Sequence, residues 1–156
     1  MKSRVKLNPN SGAYQAMLAL EMAVQKYPNL EASLLHLVRL RVSQINGCAY
    51  CLDMHSKDAH ADGETDQRLH CLPAWRETPF YSERERAALA WTEAVTSISD
   101  GHVPDETFEA ARKHFSEEEL EYLAMAIVAI NGWNRLAISF RAVPGSYQPP
   151  ARAATK

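Results

Sequence analysis

Three side chains in the stretch QINGCAYCLDMH, residues 44 to 55, combine residue types and spacing that suit redox or metal chemistry: Cys48, Cys51 and His55. Residues three or four apart on a helix share a face, and at three-residue spacing the Cα separation of roughly 5 Å lies in the range a disulfide spans. Cys48 and Cys51 can therefore close a bond with little backbone movement. Helical side chains lean toward the helix N-terminus, which points His55 back at Cys51, where an imidazole can take or share the thiol proton. A thiol on a first helical turn also meets the partial positive charge of unpaired backbone N–H groups, which favours the thiolate, the attacking form. The dipole favours Cys48 as the more acidic thiol and the histidine favours Cys51, so the residues themselves leave the order of the two thiols open. Two other readings compete. Cys48, Cys51, His55 and Cys71 make a Cys₃His zinc set, although three ligands on one helix depart from the spacing of common structural zinc sites. Alternatively both cysteines are small core residues and His55 a satisfied surface side chain. Cys71, in RLHCLPAW with no second cysteine nearby, reads as packing.

The elements that must position these groups are helical throughout, and the chain reads as all-α. SGAYQAMLALEMAVQKY sets Tyr14, Met17, Leu18, Met22 and Val24 near one face and stops before Pro28; NLEASLLHLVRLRVSQI sets Leu34, Leu37, Val38, Arg41 and Ile45 at three- and four-residue spacing and stops at Asn46-Gly47. A third helix starts at or just before Cys48, carries the motif on its first turns and breaks at Asp62-Gly63. LPAWRETPFY reads as a connection. A fourth helix opens with Ser82 and Glu85 in capping-box spacing, PDETFEAARKHF makes a short fifth, and a long apolar sixth repeats the box at Ser116 and Glu119. About six helices in one bundle over residues 1–143 are expected, followed by a tail, 144–156, rich in proline and without an apolar face, that is flexible or draped on a neighbour. The charge runs at 83–86 and 116–121 sit on helix starts and read as solvated faces that complement the dipole. INGWNR, late in the last helix, reads as helix packing and subunit contact, with Gly132 admitting a close neighbour; a binding-pocket role is the alternative.

A chain of 156 residues with 46% hydrophobic and 23% charged residues is long enough for one buried core and short for two. A formal charge of −2 supplies no general pull toward nucleic acid or anionic lipid, so neither nucleic acid nor membrane is an expected partner. The basic start, MKSRVKLNPNSGAY, lacks the apolar core of a signal peptide, and no run is read as approaching the roughly twenty apolar residues of a membrane span. The default compartment is cytoplasmic, where thiols are kept reduced; a close cysteine pair there points to catalysis or metal rather than to a structural disulfide framework.

LRVSQINGCAYCLDMHSKDA resembles the core motif of the alkyl hydroperoxidase D-like (AhpD-like) branch of the carboxymuconolactone decarboxylase superfamily, and the resemblance extends through LPAWRETPFYSERERAALAWTEAVT and INGWNRLAISFR. It implies an all-helical subunit that assembles as a homo-oligomer, a trimer or a hexamer. It also implies a cofactor-free thiol peroxidase that acts on small-molecule peroxides and is recharged by a disulfide reductant, a protein or a lipoyl-type dithiol. Carried over, Cys51 attacks the peroxide and becomes a sulfenic acid, Cys48 condenses with it to a disulfide, and His55 belongs to the proton relay. Active members of the branch carry a glutamate twelve residues before the first cysteine, as the proton acceptor; this chain has His36 there. A neutral imidazole can also accept a proton, so His36 is either a substitute base or a polar residue on the partly buried face of its helix. Glu31, five residues earlier, is not assumed to stand in. Tyr50, between the cysteines, either walls the site or packs at the helix start. A non-redox lactone decarboxylase on the same fold is the alternative enzyme, and the cysteine pair argues against it because decarboxylase members generally lack it; a zinc-stabilised or structural oligomer is the remaining one.

Overall fold

The computed structural model describes residues 2–150. Over that span the chain forms α1 (Gly12–Lys26), α2 (Ala32–Asn46), α3 (Ala49–Ala61), α4 (Asp66–Cys71), a 3₁₀ helix (Leu72–Glu77), α5 (Glu83–Thr96), α6 (Asp105–Arg112) and α7 (Glu117–Phe140), with no strand among the described residues. The expected boundaries follow from local chemistry. Ser82 and Ser116 each accept from the backbone N–H three residues on, while Glu85 and Glu119 return the bond, so both capping boxes form. The segment LPAWRETPFY, read as a connection, holds the 3₁₀ helix, and α4 precedes it in residues assigned to no element from sequence. Thr65 accepts from the Arg68 N–H to start α4, and Pro73 lies in the first turn of the 3₁₀ helix, whose Leu72 and Trp75 are buried. Helices of six residues are too short to show periodicity.

α2 is the centre of the molecule. Leu34, Leu37, Val38 and Val42 are sealed from solvent, and the helix packs against α3, α5 and α7. Long and apolar, α7 has a mean hydropathy of 1.3 in its richest window and is the one helix among the described residues that meets the length and composition of a membrane span, contrary to the sequence expectation. Its Leu123, Ile127, Ile130 and Asn134 are buried against the bundle, which gives its apolar length a packing role. Gly132 faces α1 closely: a Cβ there would lie 2.8 Å from the Met17 methyl. α1 itself buries only Val24 and leaves Met22 exposed, so an apolar helix stands at the edge with much of its surface uncovered.

The two ends of the described span both line one cavity. The Arg4 N–H donates to the Phe140 carbonyl (2.9 Å), tying the N-terminal segment to the end of α7. The tail read as starting at residue 144 is described only as far as Pro150; over that length it runs along α3, where the Tyr147 hydroxyl donates to Asp58 (2.6 Å). Residues 151–156 lie outside the described residues.

Candidate active site

The turn between α2 and α3 delivers the cysteines. Asn46-Gly47 ends α2 with Gly47 at φ 68°, a left-handed conformation that favours glycine, and the Cys48 N–H folds back onto the Ser43 carbonyl (3.0 Å). Cys48 is thereby the N-cap of α3, its Sγ accepting from the Cys51 N–H at 3.4 Å. Cys48 and Cys51 are joined as a disulfide, with Cα atoms 5.4 Å apart. The two sulfurs differ in outlook. Cys51 lines a cavity of 840 Å³; Cys48, buried beside it, is not among the lining residues.

The same cavity is lined by His55 and His36, together with Arg39, Glu21, Asp58 and Asp62, which the sequence reading did not single out as site residues. His36, from α2, faces Asp62 at the end of α3, with Nε2 and Oδ2 2.6 Å apart. A carboxylate only accepts, so His36 donates through Nε2–H, and its Nδ1 is buried and without a partner. Arg39, one turn further along α2 and equally buried, donates to Glu21 of α1 at 2.6 Å. His55 is buried, its Nδ1 3.8 Å from Asp58 Oδ2 and its Nε2 unpartnered. Burial, followed by the positive charge of Arg39 and the neighbouring His36, pushes its pKa down to about 3. His55 is therefore a neutral imidazole at working pH.

The remaining candidates sort by position. Tyr50 lines the cavity and so does Trp133 of the INGWNR stretch, whereas Asn131 and Asn134 of that stretch bond to Asn46 between α7 and α2. Glu31 lies outside the site, paired with Arg84 near the start of α2. Cys71, the last residue of α4, is a free, half-buried thiol outside the cavity lining. Among the described residues no group of three or more His, Cys, Asp and Glu side chains is placed to hold a metal ion.

Of the residues missed, Arg39 carried a signal: with His36 it makes a polar pair at three-residue spacing on a helix rich in leucine and valine. Asp62 was legible only as a helix breaker, and Glu21 and Tyr147 reach the site from distant parts of the chain.

A helical bundle that sets a CxxC pair at a helix start, with one sulfur on an internal cavity flanked by two histidines, defines a dithiol-site protein. The chain belongs to the carboxymuconolactone decarboxylase family, in its AhpD-like branch: the family model matches residues 12–94, which span α1 to α5. The Bacillus subtilis protein YdfG is 43% identical over 125 residues, covering 78% of this chain and 85% of YdfG. The crystal structure of ATU0492 from Agrobacterium tumefaciens, a candidate AhpD antioxidant defence protein, superposes with a TM-score of 0.88 at 45% identity, over 94% of this chain and all (100%) of that one. The debrominase Bmp8, at 24% identity and a TM-score of 0.76 over 85% of this chain and 71% of its own, shares the fold.

Proposed function

We propose that this protein is a thiol-dependent peroxidase in which Cys51 is the attacking sulfur. The observation that carries this reading is that Cys51 lines the cavity with both histidines while its partner Cys48 does not. The Cys51 thiolate attacks the distal oxygen of a hydroperoxide. The O–O bond breaks, Cys51 becomes a sulfenic acid, and the alkoxide leaves as an alcohol once protonated. The Cys48 thiol then attacks the Cys51 sulfur, the S–O bond breaks, water departs, and the disulfide forms. An external dithiol, a protein thiol pair or a lipoyl-type group, returns two electrons and two protons to restore both thiols.

The buried charges divide the proton work. His55, with its pKa near 3, is a weak base, so transfer of the thiol proton to it is uphill. His36 is placed for that role instead: Asp62 accepts from its Nε2–H and orders the ring, with Nδ1 buried and unpartnered on the same cavity. Arg39 acts through charge, since the field that disfavours a second cation at His55 favours an anion at the thiol. His36 thus takes the place of the branch's glutamate.

Thiol counting before and after one equivalent of peroxide, with peptide mapping, tests the reading. Oxidation should consume Cys48 and Cys51 and spare Cys71. Cys51→Ser should abolish peroxide consumption, and Cys48→Ser should leave a trappable sulfenic acid on Cys51. Sulfenate trapped on Cys48, or a bond to Cys71, would refute it. The uncovered apolar face of α1 also supports a homo-oligomer, as a trimer or hexamer.

A further inference from the structure

The segment 144–150 has no helix or strand of its own, yet it is tied by polar contacts to the helix that carries Cys51 and His55. The Gly145 N–H donates to Asp53 Oδ2 (2.9 Å), Lys57 Nζ donates to the Tyr147 carbonyl (3.0 Å), and the Tyr147 hydroxyl donates to Asp58 Oδ1 (2.6 Å). All three partners lie on the outer turns of α3, and Lys57 is itself held by Asp53 at 2.9 Å. Tyr147, Pro149 and Pro150 consequently form part of the wall of the cavity that Cys51 lines. The cavity is also lined by the N-terminal segment, tied to Phe140.

We propose that Tyr147 is the size-selecting residue of this site: strapped to α3, its ring narrows the cavity in front of Cys51 and decides which organic molecules reach the sulfur. On the peroxidase reading, on which this assignment of substrate rests, the selected molecules are hydroperoxides, and the strap holds back those with a bulky aryl or branched group. Three features support it. The ring is bulky and rigid, and it is set by contacts on both sides of its Cα: the Gly145 bond before it, the carbonyl bond at it and the hydroxyl bond at its tip. The hydroxyl stays a donor at working pH, because burial and the Asp58 carboxylate push its pKa up to about 12. Finally, the strap lacks a regular ladder of backbone hydrogen bonds, which places it among the parts of a fold that open locally at little cost. It therefore selects by size without sealing the cavity.

Access to the thiol can be read without any enzymatic activity. The reduced parent, Tyr147→Ala and Tyr147→Phe would each be alkylated with iodoacetamide, a small reagent, and with N-(1-pyrenyl)maleimide, a bulky one, and modification of Cys51 followed by peptide mapping. Tyr147→Ala should raise the rate of the bulky reagent relative to the small one by about tenfold or more, the scale of discrimination a pocket wall supplies. Tyr147→Phe keeps the ring and should keep the parent's ratio despite losing the Asp58 bond. An unchanged ratio in Tyr147→Ala, or a Tyr147→Phe variant that behaves like Tyr147→Ala, would overturn the assignment. The same three proteins with hydrogen peroxide and cumene hydroperoxide separate the two claims. If the parent's thiols resist both peroxides, the peroxidase reading fails, while the alkylation ratio still decides the role of Tyr147.

Discussion

Replacing Asp62 by asparagine tests the proton path at its least conspicuous member. In the folded protein Asp62 Oδ2 accepts from His36 Nε2 at 2.6 Å, which leaves Nδ1 as the free acceptor. An asparagine amide can turn its NH₂ toward Nε2, which moves the ring proton to Nδ1 and removes the lone pair that receives the thiol proton on the proposed path. The charged acceptor is lost as well. A hydrogen bond to a charged group contributes about 1.5–3 kcal/mol, and if that is felt in full when His36 becomes an imidazolium, oxidation of Cys51 slows by roughly 10- to 150-fold at about 1.4 kcal/mol per decade. His36→Ala removes the base itself and should cost on the order of 10²-fold. Because Asp62 acts through His36, the double variant should be no slower than His36→Ala alone, and His36→Glu should restore most of the rate. The assay is stopped-flow oxidation of the reduced protein by excess hydrogen peroxide, with circular dichroism confirming that each variant is folded. Equal rates for His36→Ala and the parent would refute the base assignment. A cost of Asp62→Asn that persists in full in the His36→Ala background would show that Asp62 acts by another route.

Three further outcomes follow from the same geometry. His55 binds a proton in the unfolded chain near its ordinary 6.5 but in the folded protein only near 3, so acid favours unfolding: its contribution is complete above pH 6.5 and declines as pH falls from there toward 3. Between pH 7.5 and 4.5 the parent should lose about 3 kcal/mol more stability than His55→Leu, as read by urea unfolding; equal losses would show that His55 is not buried neutral. Gly47→Ala should destabilise by about 1–2 kcal/mol through its left-handed backbone, since open space surrounds the added methyl, and should lower the yield of the Cys48–Cys51 bond on oxidation; an unchanged melting temperature would contradict the turn geometry. Light scattering at micromolar concentration should give a multiple of the 17.5 kDa chain mass, and a monomer mass would leave the exposed face of α1 without its proposed cover.

Much of this was legible along the chain because it depends on near neighbours. Helix periodicity, the two capping boxes and the Asn46-Gly47 stop are contacts between residues one to four apart, and so is the closeness of Cys48 and Cys51. Short α4 and its 3₁₀ continuation escaped because six residues are too few to show a helical period; only the 3₁₀ helix is fixed by burial, of Leu72 and Trp75. Which sulfur faces the cavity is a different kind of fact. Cys48 and Cys51 have the same residue type and both are almost fully buried, and only the packing of α1, α2, α3 and α7 around a common space distinguishes them. The partners of the residues lining the cavity were likewise invisible in one dimension: Asp62 is 26 residues from His36, Glu21 is 18 from Arg39, and Tyr147 is 89 from Asp58. Sequence can supply a histidine with a pKa suited to proton transfer. Burial and the position of Arg39 set His55 as a neutral ring, and the reach of Asp62 orients His36; those are decided by the fold because the energy of a charge depends on everything within several ångströms of it, whatever its distance along the chain.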